Sequence, residues 1–184
     1  MLNLELALRA PDVKRWTIVS LSRQQSLAEH QYRVWLIVRE LYPAIVTPHK
    51  FDLELALELA LTHDLHEVLC GDIPSTIKGT SRAFGALEDG ARIQMGLPLL
   101  LYHEGTVPYY VVKIADIAEG LLFLFQAGGL DRPTVWNYSK EKLHGMIQTA
   151  QASHGSLKWG GPTFAVLGRM VTDPRWLEAL GELL

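Results

Sequence analysis

The sequence predicts an all-α fold, a globular helical bundle, on three observations. Apolar residues recur at i, i+3, i+4 and i+7 over most of the chain. No stretch alternates with period two for long enough to argue a sheet. The periodic stretches stop at Pro43, Gly71, Pro98 and Gly128–Gly129, residue types that end helices.

In chain order, 1–9 reads as a short amphipathic segment stopped by Pro11. The stretch 12–22 is ambiguous, and its first part can be a helix opened by Asp12. A strong helix is expected over 26–42, with Leu27, His30, Val34, Ile37, Val38 and Leu41 on one stripe and Pro43 at its end. The next is expected over 52–69, with Asp52 as N-cap, a stripe of Leu53, Ala56, Leu57, Ala60, Leu61 and Asp64, and Gly71 as the stop. Residues 71–85 are turn-rich and read as a functional loop. Helices follow at 88–96, 107–126 and 134–152. Gly160–Gly161–Pro162 reads as a loop, and 174–184 as a last short helix.

Composition sets the function classes. The 184 residues are 48% hydrophobic and 20% charged, with a formal net charge of −3, so the chain is neither disordered nor a binder driven by bulk positive charge. No nucleic-acid polymer is expected as a partner. Cys70 is the one cysteine, which excludes an intrachain disulfide framework. The opening run carries Glu5 and Arg9 where a signal peptide would be apolar, and no apolar stretch reaches membrane-spanning length. A soluble, cytoplasmic protein of one domain is the expectation.

Four residues are polar where the helical pattern asks for apolar ones. His30 lies on the core-facing stripe of its helix. His63 and Asp64 are adjacent near the end of theirs. Asp116 interrupts VVKIADIAEGLLFLF. A lone stripe histidine is usually a hydrogen-bonded core residue, and Asp116 alone could pair with Lys113. The joint pattern is harder to dismiss, because each buried polar group is costly unless paired or metal-bound. Two imidazoles and two carboxylates form a mixed N/O set suited to Zn, Mn, Fe, Co or Ni. Gly120, one turn after Asp116, leaves space on the same face.

The order H…HD…D on successive helices resembles the HD-domain metal-dependent phosphohydrolases. SLAEH, LTHDLHEVLCGDIPSTIKG, VVKIADIAEGLLFL and the upstream Arg15–Trp16 are similar to bacterial 5′-deoxynucleotidases of the YfbR type. The likeness spans a motif core of about 13–125 within one domain over 1–184, with a helical tail at 130–184. It implies His30, His63, Asp64 and Asp116 as ligands of a divalent metal ion (Co, Mn, Zn or Mg) and Glu67 as catalytic acid/base. It also implies Asp72 as a supporting residue at the substrate, and self-association into a homo-oligomer. Gln31 and His66 depart from the family pattern, in which smaller residues are usual.

Chemistry leads to the same residues. Phosphoester hydrolysis needs an activated water, neutralised phosphoryl oxygens and a proton for the leaving oxygen. Glu67 follows His63 by one helical turn, so both share a face if the helix continues. Asp72, in a Gly-Asp-Ile-Pro turn, is either a turn former or a substrate contact. Arg15 and Lys78 are candidate phosphate cations, with Arg82 and Lys113 behind them. Trp16 is an ordinary core aromatic or a pocket wall that crowds a 2′-hydroxyl, with Ile18 beside it.

The expected activity is hydrolysis of 2′-deoxynucleotide phosphoesters, with the deoxynucleoside 5′-monophosphate as first substrate. The alternative is a triphosphohydrolase of the phage DatZ type, acting on a triphosphate such as dATP and depleting that pool. A non-enzymatic nucleotide-binding protein and a purely structural bundle are the remaining readings, and the intact ligand set with Glu67 argues against both.

Overall fold

The computed structural model describes residues 1–46, 50–78, 80–99 and 103–181. Its elements are α1 (Leu4–Ala7), β1 (Lys14–Arg15), β2 (Gln25–Ser26), α2 (Leu27–Ile45), α3 (Lys50–Thr62), α4 (Glu67–Cys70) and α5 (Ser75–Lys78). They continue with α6 (Arg82–Met95), α7 (Val107–Gln126), α8 (Pro133–Ser153), α9 (Gly160–Arg169) and α10 (Pro174–Leu180). Among the described residues no helix is long and apolar enough to cross a membrane.

Helix α7 is the centre of the bundle. It is apolar nearly all round, as a helix surrounded by others must be, and packs against α2, α3 and α8. Thr106 caps it by accepting from the Tyr109 N–H, and the left-handed Gly128 follows its end. Helix α2 starts on Ser26 as N-cap, its hydroxyl accepting from the Glu29 N–H at 3.1 Å, while the Glu29 carboxylate pairs with Arg23 and Arg33. Its expected stripe from Leu27 to Leu41 is buried throughout, His30 included.

Several expected boundaries move. The stretch after Asp12 is no helix: Lys14–Arg15 pairs antiparallel with Gln25–Ser26. Pro43 lies inside α2, because burial of Tyr42 and Ile45 carries the helix past it and only the last turn lacks a bond. The helix expected over 52–69 is two helices, and Leu61 is exposed while Leu59 is buried. Within the expected functional loop lies the short α5, and α6 begins at Arg82, capped by Ser81, rather than at 88. Gly160–Gly161–Pro162 forms the first turn of α9, where proline's missing N–H costs nothing. Residues 182–184 of the expected last helix lie outside the described residues.

The break after α3 has an identifiable cause. In a continuous helix the His63 carbonyl would accept from the Glu67 N–H. Here the buried Arg92 guanidinium donates to that carbonyl at 2.6 Å through Nη1. The Glu67 N–H turns instead to the Asp64 carbonyl at 2.8 Å, an i→i+3 bond that tightens the chain. Leu65, at the centre of this turn, packs with Leu27, Met95 and Leu97 in a small second core.

Candidate active site

Helices α2 and α7 and the turn after α3 bring His30, His63, Asp64 and Asp116 together, with one ligand atom from each lying within 4.8 Å of all the others. Both imidazoles are fully buried. Nδ1 of His63 lies 2.9 Å from the Ala60 carbonyl, which can only accept, so that nitrogen carries the proton. Nδ1 of His30 lies 2.6 Å from Oε2 of Glu119. Each ring therefore turns its other nitrogen toward the cluster, and the two Nε2 atoms stand 3.3 Å apart. Oδ1 of Asp116 is 3.2 Å from Nε2 of His30, and Oδ2 of Asp64 is 3.4 Å from Nε2 of His63.

Two lone pairs aimed at each other between two carboxylates lack a positive partner at their centre. This donor set fits a divalent cation, and the four residues can hold one. Burial acts to raise the Asp116 carboxyl, but its surroundings, with the Lys113 ammonium among them, hold it well below the usual carboxylate range. Asp64 is likewise held low against its burial, with Arg15 and Lys113 as its cationic neighbours.

A pocket of about 350 Å³ opens beside the cluster. Among its lining residues are Arg15, Trp16, Ile18, Asp64, Glu67, Asp72, Lys78, Lys113 and Asp116. Arg82 is exposed on α6 and is not part of that lining. The Arg15 guanidinium is buried, and its Nε and Nη1 make no hydrogen bond among the described residues. Asp64 and Asp116, with Asp72 behind them, hold it charged in spite of burial.

Glu67 is almost fully buried at the start of α4. Its Oε1 accepts from Nζ of Lys78 at 3.2 Å, whereas Oε2 has no partner among the described residues. Burial first, and then Asp64, push its pKa well above the usual range. Asp72 lines the pocket and accepts the Trp16 backbone N–H at 3.2 Å. Trp16 sits in the left-handed region at φ 63°, a strained conformation for a bulky residue, and this bond helps hold it there. Ile18 is 74% exposed and forms the rim of the pocket rather than its wall.

Sequence reasoning missed Glu119, Gln25 and Arg92, all buried, and the pocket face supplied by Tyr138, Ser139 and Lys142 of α8. Glu119 carried a usable signal: like Asp116, it is an acid inside an apolar helix. The α8 residues carried none, since polar residues on a helix normally face solvent.

The fold and the cluster define a class. Residues 4–92 match the family model described as YfbR-like 5′-deoxynucleotidase. A dATP triphosphohydrolase of Cyanophage S-2L is 36% identical over 120 residues, covering 64% of this chain and 66% of that one. A dATP triphosphohydrolase of Salmonella phage PMBT28 is 31% identical over 148 residues, 76% of this chain and 71% of that one. The chain thus spans about two thirds of the length of these curated relatives. A solved structure, the Cyanophage S-2L HD phosphohydrolase (DatZ) bound to dA and one catalytic Zn2+ ion, superposes with a TM-score of 0.63. It is 24% identical and covers 99% of this chain and 98% of its own. The chain belongs to the HD-domain phosphohydrolases.

Proposed function

We propose that the protein is a deoxynucleoside triphosphate phosphohydrolase that cleaves a dATP-like substrate between the α-phosphorus and the 5′-oxygen. Deoxynucleoside and inorganic triphosphate leave. The expectation from sequence ranked the monophosphate first. The phage relatives, whose name is dATP triphosphohydrolase, support the triphosphate instead.

The observation that carries this reading is the set of cations around one pocket. Arg15, Lys78, Lys113 and Lys142 all line it, and Arg15 is buried with open donors. A monophosphate offers a single phosphoryl group, whereas a triphosphate gives a row of lysines several anionic groups to neutralise.

His30, His63, Asp64 and Asp116 would hold the metal ion. When bound, it supplies positive charge to the phosphoryl oxygens and lowers the pKa of a coordinated water. Arg15 offers two donors to a non-bridging α-oxygen. Glu67, kept protonated by burial and by Asp64, gives its proton to the 5′-oxygen, which would otherwise leave as a strongly basic alkoxide. Trp16 packs against the sugar and leaves little room for a 2′-hydroxyl, a discrimination on the order of 10²-fold for an apolar contact. Ile18 covers the base from the rim.

A second reading, the deoxynucleoside monophosphate, is supported by the family model's description and breaks the same bond. Separate incubations with dATP, dAMP and ATP, with products identified by chromatography, distinguish the two. Inorganic triphosphate and deoxyadenosine from dATP, with slow turnover of dAMP, are expected. Orthophosphate from dAMP as the faster reaction would reverse the ranking. Asp64→Ala should lose the metal and all turnover.

A further inference from the structure

We propose that Glu119 and Gln25 are positioning residues, a buried polar link that sets the His30 imidazole and the Trp16 indole together. The inference rests on the reading of His30 as a metal ligand and of Trp16 as a pocket wall.

Glu119, on α7, and Gln25, on β2, are both fully buried. Oε2 of Glu119 meets Nδ1 of His30 at 2.6 Å, and Oε1 accepts from Nε2 of Gln25 at 2.7 Å. Oε1 of Gln25 in turn accepts from the Trp16 indole Nε1 at 3.2 Å. Arg33 Nε, 3.0 Å from Oε1 of Glu119, balances the charge.

The direction of every bond in this link is determined. An indole N–H only donates, so the Gln25 oxygen must face it. The Gln25 amide nitrogen then faces Glu119, whose carboxylate only accepts. Nδ1 of His30 must therefore carry the proton, and the Nε2 lone pair is left pointing at His63, Asp64 and Asp116. An apolar core would pack this region without burying an acid and an amide, so stability alone does not account for the arrangement.

Two isosteric variants separate the ends of the link. Glu119→Gln keeps the shape but lets an amide N–H face His30, which moves the imidazole proton to the metal side. Zinc affinity, read by chelator competition without any substrate, should fall about 10- to 100-fold. Glu119→Asp, which keeps the carboxylate, should recover part of that loss and shows whether any change is merely structural. Gln25→Met frees the indole and should leave zinc affinity within a few-fold of wild type. It should raise KM for dATP several-fold and lower the dATP to ATP preference, with kcat at saturation retained.

Wild-type zinc affinity in Glu119→Gln would overturn the proposal while leaving the metal site standing. An unchanged KM and preference in Gln25→Met would overturn its Trp16 end. Failure of the wild type to bind zinc would overturn the metal-site reading and the proposal with it. Zinc binding by a wild type that hydrolyses no nucleotide would overturn the functional reading and the Trp16 end, while the Glu119 measurement still decides the His30 end.

Discussion

Cζ2 of the Trp16 indole lies 3.4 Å from the position that a Cβ would take on Gly120. The ring also stacks on Phe123, one turn further along α7, with centroids 6.2 Å apart. The helix that supplies Asp116 therefore also supplies the bed on which the pocket wall rests.

Gly120→Ala should be tolerated, since 3.4 Å is an ordinary contact and alanine favours a helix over glycine by up to about 1 kcal/mol. A thermal melt should show equal or higher stability. Gly120→Leu cannot share that space with the indole. It should raise KM about tenfold and reduce the preference for deoxy- over ribonucleotide, which apolar exclusion sets at on the order of 10²-fold. Retention of the full preference in Gly120→Leu would make Trp16 a core residue and nothing more.

Arg92 holds the turn that carries two of the four clustered residues. It is 2% exposed and donates to the carbonyls of His63 and Pro98 at 2.6 and 2.8 Å. Arg92→Met removes both charge-assisted bonds, and unfolding in urea should show a loss of about 3 kcal/mol. Arg92→Lys should restore part of it, because an ammonium cannot reproduce the fork. A midpoint for Arg92→Met equal to wild type would mean that the helix ends at Thr62 for another reason.

What the sequence made legible follows from distance along the chain. His30, His63, Asp64 and Asp116 were visible because each breaks an apolar stripe within its own helix, a local property. The break at His63 was not visible, because its cause sits on α6, 29 residues away. Continuity of the helix was one route to placing Glu67 on the face of His63, beside the cluster. The tightened turn, rather than a continuous helix, places it in the lining of the pocket. The opening turn of α9 was misread because glycine pairs mark loops more often than first turns. Its packing against α2, which buries Thr163, Val166 and Leu167, is what orders it.

Glu67 makes a prediction about pH and rate. Burial and the neighbouring Asp64 raise its pKa, so it keeps a proton into a range where an ordinary glutamate has none. In the proposed role of general acid it works only while protonated. The rate should therefore fall as pH climbs through that raised pKa, giving an alkaline limb to the profile of kcat. Glu67→Gln cannot donate, and kcat should drop about 10²-fold or more, with bound metal retained and that limb absent. Full kcat in Glu67→Gln would transfer the role to Asp72.

Glu88 makes a prediction about pH and stability. His66 and the Lys78 ammonium, whose Nζ is 2.8 Å from Oε1 of Glu88, hold this carboxyl at about 2, against an unfolded value near 4.5. A depressed carboxyl stabilises the fold above the unfolded pKa. That contribution disappears as pH falls through the folded one, so the window of loss runs from about 4.5 down to about 2. Because Glu88 is partly open to solvent, its contribution at neutral pH should be no more than about 1 kcal/mol. Urea midpoints taken at pH 7, 4 and 2.5 should show Glu88→Gln below wild type at pH 7 and converging with it at the acid end. Lys78, released from Glu88 in that variant, keeps its bond to Glu67, so the difference reports the contacts of Glu88 with His66 and Lys78. Parallel curves for the two proteins at all three pH values would show that the ion pair contributes nothing to the fold.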